Sequence, residues 1–227
     1  MCLKFKVAMK EIKRNSYLKQ LISGKQNGLI KIVTGIRRCG KSYLLFKIFR
    51  NHLLEQGVTP DHIISLALDD ILNEEYCDPK KLVLYIKENI KDSQIHYVLL
   101  DEVQMVDNFV GALNSLLHID NVDVYVTGSN SKFLSSDIAT EFRGRGDEIR
   151  IYPLSFSEFL SEYNGDKNDA WRDYITYGGL PLILSLESSQ QKSNYLHNLY
   201  QTVYLKDLID RNGIKKAVEF DALTKVM

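Results

Sequence analysis

The sequence predicts a three-layer α/β sandwich built on a parallel five-stranded sheet and followed by a small helical lid. Three observations carry the prediction. Apolar runs rich in β-branched residues recur between longer segments of helical period. No run is joined to the next by a two-residue hairpin turn, so parallel pairing is favoured over a meander. After Tyr152 the strand-like runs cease and only amphipathic stretches follow. The 227 residues, 44% hydrophobic and 26% charged, suffice for one large or two small globular domains and exclude disordered and fibrous classes.

The expected strands are Leu29–Thr34, His62–Leu68, Ile95–Leu100, Val122–Thr127 and Glu148–Tyr152, with helices between them at Lys41–Glu55, Pro79–Lys91, Asp107–His118 and Lys132–Glu141. Ser155-Phe156-Ser157-Glu158 has the form of a capping box and starts a helix before Phe159. A polar loop follows over Glu162–Asp169. Ala170–Tyr177 is a helix stopped by Gly178-Gly179 and Pro181, and Ser193–Arg211 is a long helix closed by Asn212-Gly213. The expected organisation is an α/β core over residues 1–153, a helical lid over 154–213 and the start of a further domain over 214–227. Lys215–Met227 begins an amphipathic segment without a capping signal, which suggests a fragment of a longer protein.

Charge and cysteine usage narrow the setting. Lys+Arg and Asp+Glu are both 29, but residues 1–50 hold 13 basic side chains against Glu11 alone, so that part is +12 and the rest −12. Cys2, Cys39 and Cys77 form neither a CxxC pair nor a disulfide framework, which points to a reducing cytoplasm. Neither a signal peptide nor a membrane span is expected.

The strongest chemical signal is Gly35-Ile36-Arg37-Arg38-Cys39-Gly40-Lys41-Ser42, a full match to G-x-x-x-x-G-K-[ST] between an expected strand and an expected helix. In such a P-loop the glycines let backbone N–H groups converge on phosphates and the helix N-terminus adds positive potential. The binding segment is taken as Gly35 to Tyr43. Lys41 reaches the β- and γ-phosphates, and the Ser42 hydroxyl is a ligand for Mg²⁺. Sixty positions after Lys41, an apolar strand ends in Asp101-Glu102. Strand C-termini face the ligand crevice of an open α/β sheet, so Asp101 is assigned to the metal shell and Glu102 to polarising an attacking water. Asp69-Asp70 is a second candidate for the metal. Asn130, at the polar tip after Val122–Thr127, is either a hydrogen-bonding contact for the γ-phosphate or a helix cap. Arg143 and Arg145 lie on a glycine-rich segment and suit phosphate oxygens, in cis or from a neighbouring subunit.

Together these residues resemble the bacterial and archaeal AAA-type ATPases that pair an N-terminal AAA domain with a C-terminal domain of uncharacterised function. The likeness covers most of residues 15–213. It includes Thr34–Ser42 as Walker A, Val98–Gln104 as Walker B with a trailing glutamine, and Thr127–Ser131 as sensor segment. Gly144-Arg145 with Pro153–Phe159, and Tyr177–Pro181, complete it. The resemblance implies ATP as ligand, Glu102 as catalytic base, Asn130 as sensor and Arg145 rather than Arg143 as the phosphate-facing arginine. It implies an ATPase that couples nucleotide state to lid or C-terminal movement. A nucleotide-gated switch with little hydrolysis, with a DNA association suggested by the basic first 50 residues, is the alternative; a small-molecule kinase is disfavoured by the tandem acids. Expected partners are ATP and ADP, a homo-oligomer supplying an arginine in trans, and a protein or DNA partner engaged through the missing C-terminal part.

Overall fold

The computed structural model describes residues 12–128, 142, 144–204 and 209, which fall into two compact units. The first runs from Lys13 to Tyr152, and the second comprises Ile12 and the described residues from Pro153 onward.

In the first unit, five strands form one parallel sheet: β1 (Ile30–Thr34), β2 (Ile63–Ala67), β3 (His96–Asp101), β4 (Val122–Thr127) and β5 (Gly146–Arg150), in the order β2-β3-β4-β1-β5. The expected parallel five-stranded sheet is therefore present. Helix α1 spans Asn15–Ser23. Helix α2 follows β1 and is α-helical over Lys41–Tyr43, a π-helix over Leu44–Phe49 and α-helical again over Arg50–Glu55. Helix α3 (Pro79–Glu88) precedes β3, and α4 (Phe109–Leu116) precedes β4.

Alternation along the strands builds two cores. Ile30, Ile32, Val98, Leu100, Val124 and Val126 face α3 and α4, whereas Val33, Leu99 and Tyr125 face α2 and Leu21 of α1. The chain leaves β1 for the far edge of the sheet and then steps back through β3 and β4, passing β1 to reach β5. With right-handed crossovers, that reversal puts α2 on one face and the later connections on the other, as the two cores require. The reversal occurs at β1, so the crevice of the sheet opens at the β1 C-terminus.

One buried ion pair stabilises the opposite end of the sheet. Lys31 and Asp123, both almost fully buried, pair across β1 and β4, and the Lys31 ammonium also donates to the Leu29 carbonyl at 2.7 Å. Asp123 accepts from the Gln26 peptide N–H and the Tyr125 hydroxyl, each at 3.0 Å. Burial holds the Lys31 ammonium below its usual range and pushes the Tyr125 phenol far above its own.

In the second unit α5 (Phe156–Glu162) starts at the expected capping box, with Ser155 and Glu158 bonding reciprocally. Helix α6 (Lys167–Tyr177) begins earlier than expected because Asp166 caps Asn168 and Asp169, and a second capping box, Ser188 with Gln191, starts α7 (Ser189–Leu199). Ile12, Leu154, Phe159, Ala170, Leu180, Ile183 and Leu199 form its core. The expected helix over Lys132–Glu141, the end of the one over Ser193–Arg211 and the segment 214–227 lie outside the described residues.

Candidate functional site

The loop after β1 has the backbone its sequence demands. Gly35 adopts φ 146, and a Cβ there would stand 2.3 Å from the Ile151 carbonyl oxygen, so only glycine allows the loop to leave β1 beside the end of β5. Gly40 caps α2 in the left-handed region at φ 101, the backbone turn by which the chain passes from the loop into the helix. Arg38 also lies in the left-handed region, at φ 67, and its side chain is exposed. Ile36 is exposed, Arg37 half-buried and Cys39 fully buried. Burial pushes the Cys39 thiol up, which fits packing rather than reactivity.

Lys41 is 4% exposed, and its ammonium donates to the Gly35 and Ile36 carbonyls at 3.0 and 3.1 Å. Burial lowers its pKa, opposed by the nearby Glu102 and Asp101 carboxylates. The Ser42 hydroxyl, in the first turn of α2, lies beside the Asp101 carboxylate at the end of β3 and favours its charged form. Asp101 is 5% exposed and accepts from the Thr127 hydroxyl at the end of β4. Burial nevertheless pushes its carboxyl above the usual range, with Glu102 and Asp69 acting the same way. A buried carboxylate beside a hydroxyl is an oxygen donor set that suits Mg²⁺ and that a cation would relieve of its desolvation cost.

Glu102 sits in the left-handed region at φ 52, uncommon for a residue with a side chain. Its peptide N–H donates to the Thr127 hydroxyl at 3.0 Å, and its carboxylate accepts from the Gln104 side-chain amide. The sheet thus brings Lys41, Ser42, Asp101 and Glu102 together at one end.

Arg145 is not among them. It precedes β5, its carbonyl accepts the Ile30 peptide N–H at the start of β1, and its guanidinium donates to Asn114 of α4 at 3.2 Å. Lys41 stands past the other end of β1, about 16 Å away for five residues at roughly 3.3 Å each. This arginine therefore does not face the phosphate loop of its own chain. Asn130 and Arg143 lie outside the described residues. Of the second acidic pair, Asp70 caps the 3₁₀ turn Ile71–Cys77 by accepting from the Leu72 peptide N–H at 3.0 Å, and Asp69 is exposed.

At the other end of the sheet His62, Asp92 and His96 converge with ligand atoms within 4.8 Å of one another. Every ring nitrogen is already engaged: His62 with Thr59 and Asp92, His96 with the Gln94 carbonyl and the Lys91 peptide N–H. The cluster ties the start of β2 to the start of β3. Sequence reasoning missed Gln104 and Thr127 as supports of the acidic pair; an amide two residues after the glutamate was the available signal.

A parallel sheet that reverses direction at a phosphate loop, with a buried aspartate beside the loop's serine, defines a P-loop nucleoside-triphosphatase fold. Residues 27–160 match the AAA domain family AAA_14, and the chain belongs to that family. It is 35% identical over 210 residues to an uncharacterized protein of Haemophilus influenzae, covering 90% of this chain and 52% of that relative. To the uncharacterized protein MJ1544 of Methanocaldococcus jannaschii it is 32% identical over 217 residues, covering 87% of this chain and 46% of the relative. The chain spans about half the length of the curated relatives it matches. In fold it is similar to the Walker-type ATPase PABY2304 of Pyrococcus abyssi, with a TM-score of 0.51, 16% identity and coverage of 95% of this chain and 75% of the other. No helix among the described residues is long and apolar enough to cross a membrane.

Proposed function

We propose that this AAA domain binds ATP with Mg²⁺ and hydrolyses the β–γ anhydride, coupling nucleotide state to movement of the second unit as a lid and of whatever follows it. The observation that carries the proposal is the convergence of the buried Lys41 ammonium, held by the Gly35 and Ile36 carbonyls, with the Asp101 and Glu102 carboxylates at the end of β3. Peptide N–H groups from Gly35 to Tyr43 cradle the phosphates, and the Lys41 ammonium moves from the loop carbonyls to the β- and γ-oxygens. Ser42 and Asp101 hold the Mg²⁺, which when bound neutralises charge on those oxygens. Glu102 takes the proton of the attacking water, and Asn130 hydrogen-bonds the γ-phosphate.

Arg145 is proposed to act in trans, from a neighbouring copy in a homo-oligomer. A protein or DNA partner is proposed to act through sequence found in the longer relatives. The free thiols of Cys39 and Cys77 fit a cytoplasmic setting.

The test is Mg²⁺-dependent phosphate release from ATP by the parent chain, Lys41→Ala and Glu102→Gln, with ATP binding recorded for each. Turnover lost in Glu102→Gln while binding survives is the expected result; failure of the parent chain to bind ATP sinks the proposal.

A second reading, a nucleotide-gated switch with little intrinsic hydrolysis, is favoured by one observation: the Glu102 carboxylate is engaged by Gln104. Tight binding without turnover at every chain concentration would select it.

A further inference from the structure

The geometry points to Arg14 as the positioning residue of the phosphate loop, a latch that ties the loop to both places where the chain passes between the two units. This inference rests on the proposed nucleotide site for its consequence but not for its geometry. Arg14 is 5% exposed, a depth of burial uncommon for an arginine. Its backbone begins α1, with its carbonyl accepting from Leu18 at 2.9 Å, while its side chain makes no capping hydrogen bond to that helix. One terminal nitrogen donates to the carbonyl of Cys39, inside the phosphate loop, at 3.3 Å, and the other to the carbonyl of Tyr152 at 2.6 Å. The guanidinium lies over the Tyr17 ring, 4.6 Å from its centroid. The Tyr17 hydroxyl in turn accepts the Tyr152 peptide N–H at 3.3 Å, so both polar groups of that peptide residue are held from α1.

The planar fork is what this task requires. A guanidinium offers donors in fixed, divergent directions and stacks on an aromatic face; an ammonium does neither. By occupying the Cys39 carbonyl, Arg14 holds the loop peptides that flank it, which supports the loop's N–H groups facing the phosphates.

The position of Arg14 in the chain gives the latch its reach. Ile12 is buried in the core of the second unit, and only the exposed Lys13 separates it from Arg14. At the other crossing Leu154 is buried in that same core, and its peptide N–H donates to the Gly179 carbonyl at 2.7 Å. Only Pro153 separates it from the clamped Tyr152. Each crossing is thus a single-residue link with one end anchored in the second core and the other on Arg14 or its partner. A change in loop conformation on phosphate binding pulls on the Cys39 carbonyl, and Arg14 passes it to both links at once.

The experiment compares the full chain with Arg14→Met, Arg14→Lys and Tyr17→Phe by amide hydrogen exchange, first without nucleotide and then with Mg²⁺ and ATP, alongside thermal melts. Without nucleotide, Arg14→Met is expected to speed exchange of the 36–41 amides at least tenfold while the core of β3 and β4 stays protected. Arg14→Lys restores less than half of that protection, and Tyr17→Phe loosens residue 152 but not the loop. With ATP, the parent chain changes protection at both 12–14 and 151–154, and Arg14→Met loses that response together with about tenfold in ATP affinity. Unchanged loop exchange in Arg14→Met, full rescue by lysine, or exchange that rises uniformly across the core would each overturn the latch. If the parent chain binds no ATP, the nucleotide reading fails while the loop exchange still decides the role of Arg14.

Discussion

The Thr127 hydroxyl joins the two acidic residues at the end of β3: it donates to the Asp101 carboxylate and accepts the Glu102 peptide N–H at 3.0 Å. One side chain from β4 therefore fixes both the candidate metal ligand and the strained backbone of the candidate base. Thr127→Val keeps the shape and removes the oxygen, leaving Asp101 buried with one donor fewer. Supporting hydrogen bonds of this kind are worth about 10–100-fold in metal affinity or activity. Thr127→Val is expected to lower kcat and the affinity for Mg²⁺ by about that factor while ATP still binds without metal, a split that titrating Mg²⁺ at saturating ATP measures.

Gln104 acts on the same glutamate from the other side. Its amide holds the Glu102 carboxylate, whose backbone carries a left-handed conformation costing about 1–3 kcal/mol. Gln104→Ala removes that hold on the carboxylate, so kcat falls about tenfold and KM for ATP stays unchanged, as expected when the base is misoriented and substrate binding is intact. Steady-state kinetics of the parent and the variant side by side check this, and a kcat equal to that of the parent would assign Gln104 a purely structural role.

Arg145, anchored to Asn114 at the start of β5, stands at the wrong end of the sheet for its own phosphate loop. If it serves a neighbour, turnover per chain rises with chain concentration. Arg145→Ala and Glu102→Gln, each inactive alone, then regain activity when mixed, because one subunit supplies the base and the other the arginine. An arginine delivered to transferring phosphate is worth about 10³–10⁵ in kcat, so the regained rate stands far above either background. Inactive mixtures at concentrations where the chains associate would remove Arg145 from the mechanism.

The sheet was legible because its strands are continuous apolar runs, and the loop because its chemistry is written as fixed spacing. β5 was placed two residues late since Gly146 and Asp147 carry no apolar signal, yet they pair with Ile30 and Lys31. Helix α1 gave no start signal: the residue at its N-cap is Arg14, whose side chain serves the phosphate loop instead of capping, and its first turn holds no acid. Asn164-Gly165 made the segment before Ala170 resemble a loop, although Asp166 already starts a helix there. The motif residues announce themselves, but their supports do not. Thr127 lies 26 residues from Asp101 and Arg14 lies 138 from Tyr152, and both pairings exist only through the parallel register and the return of β5 beside β1.

The buried pair of Lys31 and Asp123 gives a prediction about stability alone. Lys31→Met leaves a buried carboxylate whose remaining partners are the Gln26 N–H and the Tyr125 hydroxyl, so destabilisation of about 3–5 kcal/mol is expected. Adding Asp123→Asn removes the charge and keeps an acceptor for those two donors, and the double variant recovers at least half of the loss. Denaturant melts of the parent, single and double variants measure it.

Tyr163 supplies a pH signature for the second unit. Its hydroxyl donates to Asp173 at 2.8 Å, and the same carboxylate oxygen accepts from the Lys192 ammonium at 2.5 Å. Partial burial and then the Asp173 carboxylate push the phenol up to about 12 from an ordinary value of 10.0. Between those values the unfolded chain has released this proton and the folded chain still holds it, so the folded state binds more protons and stability falls as pH rises. The contribution is complete below pH 10 and gone above the folded value. Tyr163→Phe cannot ionise, so its thermal midpoint is expected to fall less steeply than that of the parent between pH 10 and 12. The phenolate absorbance missing from the variant is expected to titrate near 12; a difference spectrum titrating near 10 would show that Asp173 does not hold the proton.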